Sequence, residues 1–255
     1  MILNWPGLHA ARHDYRAQWR RGSPFPHVVL SDLFTREALA ALQSTFPITG
    51  AGWTDRRHLH SNKHTMNDMS QMPEAHRRAI EELHADPFLG YLERLTGMTE
   101  LTPDPHLYGG GLHVTARGGY LDMHCDFTES SLMPGYRRAL NLLIYLTRDY
   151  DPAWGGGLQL GHLDEPGHYF PRIGKTIYPV ANRAVLFATS TDSWHGHTEK
   201  WASDVPRTSM AIYLYRKAAV GGSVLKTTDY RPLEGQTWKR ARKAVGRALR
   251  KAGLR

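Results

Sequence analysis

Seven short β-rich segments separated by glycine-bearing turns fill the stretch from Leu107 to Tyr215, and that rhythm leaves few folds open. The segments are Gly111 to Ala116, Tyr120 to His124, Ala139 to Leu146, Gly157 to Leu160, Thr176 to Pro179, Ala184 to Ala188 and Ser209 to Tyr215. Short strands in regular succession argue for a sandwich or barrel. A double-stranded β-helix, a jelly roll with helices packed on one sheet, fits best. The first hundred residues predict mostly helical support. Residues 26 to 34 read as a strand and turn, and Thr35 can cap a helix running to about Phe46. Pro73 to Ala85 and Pro87 to Leu95 predict two more, each with proline in its first turn. Gly50 to Met72 is a long polar stretch, and a loop of that length reads as a lid, a binding loop or a disordered segment. The expected class is α+β, mainly β. The expected organisation is one domain over 1–237, with helical support at 1–106, a jelly-roll core at 107–217 and a separate tail at 238–255.

Composition narrows the functional classes. Hydrophobic residues make up 41% and charged residues 22% of the 255, an ordinary globular balance. No stretch reaches the roughly 18 apolar residues of a membrane span, and the first 17 residues lack the apolar core of a signal peptide. The single cysteine, Cys125, excludes an internal disulfide and suits a reducing compartment, so a cytoplasmic location is expected. The net charge of +8 equals the eight basic residues between Trp238 and Arg255, which leaves a formally neutral body. That tail predicts an amphipathic helix whose charges face solvent, with weak contact to an anionic surface or acidic partner as the competing use. A neutral body without a basic groove disfavours nucleic acid as a partner. The oligomeric state is not legible.

The residues with the most chemistry are His124 and Asp126, then Trp194-His195-Gly196-His197, then Arg207. Side chains two apart on a strand share a face, so His124 and Asp126 project together. Two imidazoles and one carboxylate can cap one face of an octahedral metal and leave the other open, as in non-haem Fe(II) sites. His195 and His197 are both available as the second imidazole. An H-x-D pair is weak evidence in a chain with 15 histidines, and its context is what strengthens it.

That context resembles the Fe(II)- and 2-oxoglutarate-dependent dioxygenases, especially their prolyl 4-hydroxylase-like branch. The resemblance spans roughly residues 107 to 216 and rests on five ordered blocks: GGYLDMHCD, RRALNLLIYLT, GGGLQL, NRAVLFATSTDSWHGH and PRTSMAIYLY. It implies that His124, Asp126 and His195 are the iron ligands, with His195 preferred to His197. It further implies that Arg207 grips the distal carboxylate of 2-oxoglutarate, with Tyr145 and Ser209 completing the grip. An arginine fork holds a carboxylate by two parallel hydrogen bonds, which lysine cannot reproduce. The implied reaction is hydroxylation of a small molecule, or of an amino-acid residue in a peptide or protein. It uses O2, releases succinate and CO2, and takes ascorbate as a supporting reductant. Halogenating relatives lack the carboxylate, so Asp126 argues for hydroxylation, while desaturation and ring formation use the same centre.

His113, Trp154, His197 and Tyr213 are the expected substrate contacts. Cys125 alternates away from the metal and reads as a small core residue. His58, His60 and His64 read as a solvated loop rather than a second metal site. Gly109-Gly110-Gly111 has neither the lysine nor the helix of a phosphate loop. The competing functional class is a catalytically inactive jelly-roll binding module that recruits an acidic partner through its tail.

Overall fold

In a computed structural model of the chain, described for residues 1–165, 168–218 and 224–236, the strands assort into two antiparallel sheets. Numbered in chain order, the larger sheet holds β1 (His27–Leu30), β2 (Thr54–Asp55), β3 (His64–Met66), β4 (Thr102–Pro103), β5 (Gly111–Thr115), β7 (Tyr136–Tyr145), β10 (Ala184–Ala188) and β12 (Arg207–Lys217). Its order is β1-β10-β7-β12-β5-β3-β2, with β4 also on β12. The smaller sheet is β13-β6-β11-β8-β9, comprising β6 (Leu121–Cys125), β8 (Leu158–His162), β9 (Arg172–Ile177), β11 (Trp194–His197) and β13 (Asp229–Tyr230). This is the expected double-stranded β-helix. The predicted tail helix at 238–255 lies outside the described residues.

Alternation along three central strands decides what each face of the larger sheet does. Leu112 and Val114 of β5, Leu140, Leu142 and Ile144 of β7, and Met210, Ile212 and Leu214 of β12 all join one apolar core. Their neighbours in sequence, His113 and Thr115, Asn141 and Tyr145, Arg207 and Ser209, point the other way, toward the smaller sheet. The outer face is sealed by helices: α1 (Trp5–Arg21), α2 (Arg36–Ser44), α3 (Glu74–His84) and α4 (Asp86–Thr96). Leu142 and Ile212 are fully buried there, so truncating either to alanine costs about 2–5 kcal/mol. The helices therefore make the sheet a rigid wall for whatever its inner face binds.

Local chemistry sets the helix ends. Thr35 caps α2 by accepting from the Ala38 N–H at 3.2 Å, and Gly97 closes α4 in the left-handed conformation at φ 79°. Helix α1 is an addition to the sequence reading. Its signals are Asn4, which accepts from the Gly7 N–H at 3.2 Å, Pro6 in the first turn, and the buried series Leu8, Tyr15 and Trp19.

Two further departures concern the first hundred residues. The span expected as a polar loop, 50–72, instead supplies β2 and β3, which extend the larger sheet beyond β5. Its tip then crosses to the smaller sheet: the Asn62 N–H donates to Tyr120 O at 2.9 Å and the Asp122 N–H donates to His60 O at 2.9 Å. The segment is a strap joining the two sheets. Among the described residues no helix is long and apolar enough to cross a membrane.

Candidate metal and cosubstrate site

His124 on β6 and His195 on β11 are direct partners across the smaller sheet, with ring centroids 4.2 Å apart. Asp126, just past the end of β6, closes the group. Its carboxylate oxygens lie 3.5 Å from His124 Nε2 and 3.6 Å from His195 Nε2. All three ligand atoms fall within 4.8 Å of one another, and all three residues are buried. Each histidine directs Nδ1 at a backbone carbonyl two residues earlier, Asp122 O and Ser193 O, both at 2.9 Å. Those bonds fix the tautomer, so both Nε2 lone pairs face the centre of the cluster. Burial lowers the His195 pKa to about 3, which keeps that imidazole neutral and able to ligate. Gly196, between the two histidines, passes so close to β6 that a Cβ would sit 2.8 Å from the Asp122 and Leu121 carbonyls.

Asp126 is held by two residues that the sequence reading did not single out. Its Oδ2 accepts from Arg138 Nη1 at 3.0 Å and from Asn141 Nδ2 at 2.7 Å. Burial alone would raise the Asp126 carboxyl. The Arg138 guanidinium and the two imidazoles outweigh it and hold the group ionised, well below the usual carboxylate range. Arg138 is itself clamped between aromatic rings, 4.0 Å from the Phe127 centroid and 3.7 Å from that of Tyr213. Simple alternation from Leu140 would put Arg138 on the outer face. A β-bulge opposite Leu214 and Tyr215 turns it inward beside Asn141.

The far end of the same cavity is built on the larger sheet. Ser209 pairs with Tyr145 on one side and His113 on the other, and Arg207 pairs with Thr115, so these side chains share one inner face. Arg207 is buried, donates from Nε to Gly156 O at 3.0 Å and has its Cζ 5.1 Å from the Tyr145 ring centroid. Gly156 makes that contact possible: at φ 67°, a Cβ there would meet Trp201 at 2.6 Å and Arg207 at 3.2 Å. No carboxylate among the described residues forms an ion pair with Arg207, whose guanidinium interacts with the buried Tyr145 hydroxyl. A buried cation without a carboxylate partner is costly unless an anion completes it. The donor cluster fits Fe(II), and the Arg207–Tyr145 pair fits a carboxylate.

Between these ends lies a cavity of about 430 Å³. His113, His197 and Tyr213 line it, and Trp154 does not. Trp154 instead packs edge-on against Trp201 at 5.7 Å and Tyr150 at 6.1 Å. Burial, with Arg207 and Lys63 nearby, holds His197 well below its ordinary pKa, so it faces the cavity as neutral imidazole. Cys125 is buried with Met123 and Trp194, on the side away from the ligands, and burial pushes its thiol upward. The expectation of a solvated His58–His64 loop is corrected at His60. That residue is buried, bonded through Nδ1 to Asp122 Oδ2 at 3.0 Å and stacked on Tyr230 at 5.0 Å. Among the described residues only His124, Asp126 and His195 form a metal-competent cluster.

Fold and donor set together define a double-stranded β-helix protein built around a two-histidine, one-carboxylate centre. A model of the 2OG-Fe(II) oxygenase superfamily matches residues 110–215 of this chain. It is 26% identical over 156 residues to the mouse prolyl 3-hydroxylase OGFOD1; the match takes in 58% of this chain but only a quarter of the relative's length. A Trichoplax adhaerens prolyl hydroxylase, solved with a hypoxia inducible factor peptide fragment, superposes with TM-score 0.56 at 13% identity, covering 83% of this chain and 93% of that one. HygX from Streptomyces hygroscopicus, solved with nickel, 2-oxoglutarate and hygromycin B, superposes with TM-score 0.52 at 12% identity, covering 80% and 87% respectively. At such identities the likeness is one of fold.

Proposed function

We propose that this chain is an Fe(II)- and 2-oxoglutarate-dependent dioxygenase that hydroxylates a small molecule or an amino-acid residue of a peptide or protein. The observation that carries the reading is the pairing, in one cavity, of three converged buried donors with a buried guanidinium that no carboxylate among the described residues neutralises. Bound Fe(II) supplies the redox chemistry that couples O2 reduction to conversion of 2-oxoglutarate into succinate and CO2 and to oxidation of a C–H bond. His124, Asp126 and His195 would hold the metal by one face and leave the other for cosubstrate and O2. Arg207 would take the distal carboxylate in a charge-assisted fork, oriented by Tyr145 and Ser209. Arg138 and Asn141 would keep Asp126 ionised and aimed, as partners of metal-bound carboxylates do. His113, His197 and Tyr213 would face the substrate, both imidazoles as neutral hydrogen-bonding groups.

Both substrate classes have support, since the relatives include a prolyl hydroxylase solved with a peptide and a protein solved with hygromycin B. Asp126 favours hydroxylation over halogenation because its carboxylate would take the coordination position that a halide would need. A pure binding module would leave Arg207 as an uncompensated cost of burial. The lone Cys125, buried and unbridged, agrees with a reducing compartment such as the cytoplasm. Purified protein given Fe(II), ascorbate and 2-oxoglutarate is expected to form succinate slowly without added substrate, and His124→Ala to stop it. Intact protein that binds neither iron nor 2-oxoglutarate would overturn the reading.

A further inference from the structure

We propose that Arg56 and Lys63 form a docking point for an anionic group, a carboxylate or a phosphate, on the substrate that is oxidised. The word substrate rests on the dioxygenase reading above; the anion site itself does not. Strands β2 and β3 pair Thr54 with Thr65 and Asp55 with His64. The next rung is Arg56 opposite Lys63, closed by the Arg56 N–H donating to Lys63 O at 2.9 Å. Residues directly opposite one another project to the same face, and here that face is the cavity, which both line. Arg56 Nε also donates to Thr65 Oγ1 at 3.3 Å, and Thr65 lies opposite His113. Two like charges on one rung destabilise a hairpin unless something compensates them.

Among the described residues no carboxylate forms an ion pair with Arg56 or Lys63, although Asp126 favours the charged lysine. Of the cavity's two carboxylates, Asp126 is paired with Arg138 at 3.0 Å and Glu129 with Arg137 at 3.6 Å. Lys226, which also lines the cavity, adds a third cation. The rung is firmly held, because β3 is bonded to β5 and the strap's tip is bonded to β6, with His60 locked between Asp122 and Tyr230. Its cations are therefore presented in place rather than on a free loop.

The rung is also distinct from the 2-oxoglutarate anchor. His64 pairs with Val114, so Lys63 stands next to Thr115, and Thr115 pairs with Arg207. Two interstrand steps of roughly 4.8 Å separate the backbones of Lys63 and Arg207, with a strand between them. Arg56 lies one step further out. One cation thus serves the cosubstrate, while the rung faces the remainder of the cavity.

The test is calorimetric titration of inorganic phosphate, and separately of acetate, into full-length protein held under argon with Fe(II) and saturating 2-oxoglutarate. The stronger arm tells whether the site prefers phosphate or carboxylate. The double variant Arg56→Gln, Lys63→Met is expected to weaken that binding at least tenfold while changing 2-oxoglutarate affinity less than twofold. Three outcomes would overturn the proposal: neither anion binding to the native protein, equal binding to the variant, or a tenfold loss of 2-oxoglutarate affinity in Lys63→Met alone. The last would assign Lys63 to the cosubstrate. Repeating the titrations without metal or 2-oxoglutarate separates this failure from that of the dioxygenase reading, since the rung would still bind the anion.

Discussion

Two buried arginines stand on the inner face of the same sheet, and their surroundings differ in one decisive respect. Arg138 is complete: a carboxylate at 3.0 Å and two aromatic faces within 4.0 Å satisfy it inside the protein. Arg207 is incomplete, with a backbone carbonyl and Tyr145 but no carboxylate partner among the described residues. A complete buried ion pair positions something, here Asp126 of the candidate metal cluster. An incomplete one stores a free-energy cost that only a bound anion relieves. The comparison assigns the two ends of the cavity their separate tasks.

Removing a metal donor tests the first end most severely. His124→Ala or Asp126→Ala should abolish succinate formation, and iron titration should show the matching loss of binding. The two arginines should then respond with opposite signs in thermal unfolding without ligands. Arg138→Met strands the Asp126 carboxylate and should cost about 3–5 kcal/mol, whereas Arg207→Met removes an uncompensated charge and should be neutral or stabilising. In cosubstrate titrations Arg207→Met should lose roughly 2–5 kcal/mol of 2-oxoglutarate binding. A like sign for both variants would break the comparison. A smaller change is expected from Asn141→Ala, which leaves the donors in place and should weaken metal affinity roughly 10–100-fold.

The gentlest test is pH. Burial lowers the Lys63 pKa from 10.5 to about 8, with Arg207 and Arg56 adding to the effect and Asp126 opposing it. Below about 8 the lysine is charged in both the folded and the unfolded chain, and the folded state bears the whole penalty. Between about 8 and 10.5 only the unfolded chain keeps the proton, so this group's contribution to stability rises with pH across that window. Lys63→Met should remove that rise in denaturant melts. Anion binding at the Arg56–Lys63 rung should fall as pH passes about 8.

The parts of the site legible in sequence are those set by local spacing. His124 and Asp126 lie two apart beside a strand, and His195 and Arg207 fall in blocks whose order resembles a known family. The same resemblance implied Tyr145 and Ser209, strand alternation suggested His113, and the short-strand rhythm indicated the jelly roll. What escaped depends on contacts distant in the chain. Arg138 reaches Asp126 only because a bulge reverses its side, and His60 is buried only because the strap's tip docks on β6. Trp154 was misplaced for the same reason, since its packing against Trp201 reflects a loop rather than a strand. Helix α1, by contrast, was readable from Asn4 and Pro6.

The most direct test of a cavity with a metal end and an anion end is 2-oxoglutarate binding under argon, measured calorimetrically with and without Fe(II). Native protein should bind the cosubstrate tightly only when iron is present, and Arg207→Met should bind iron normally but 2-oxoglutarate at least tenfold more weakly. Equal 2-oxoglutarate binding with and without iron, or in the native and Arg207→Met proteins, would contradict the account.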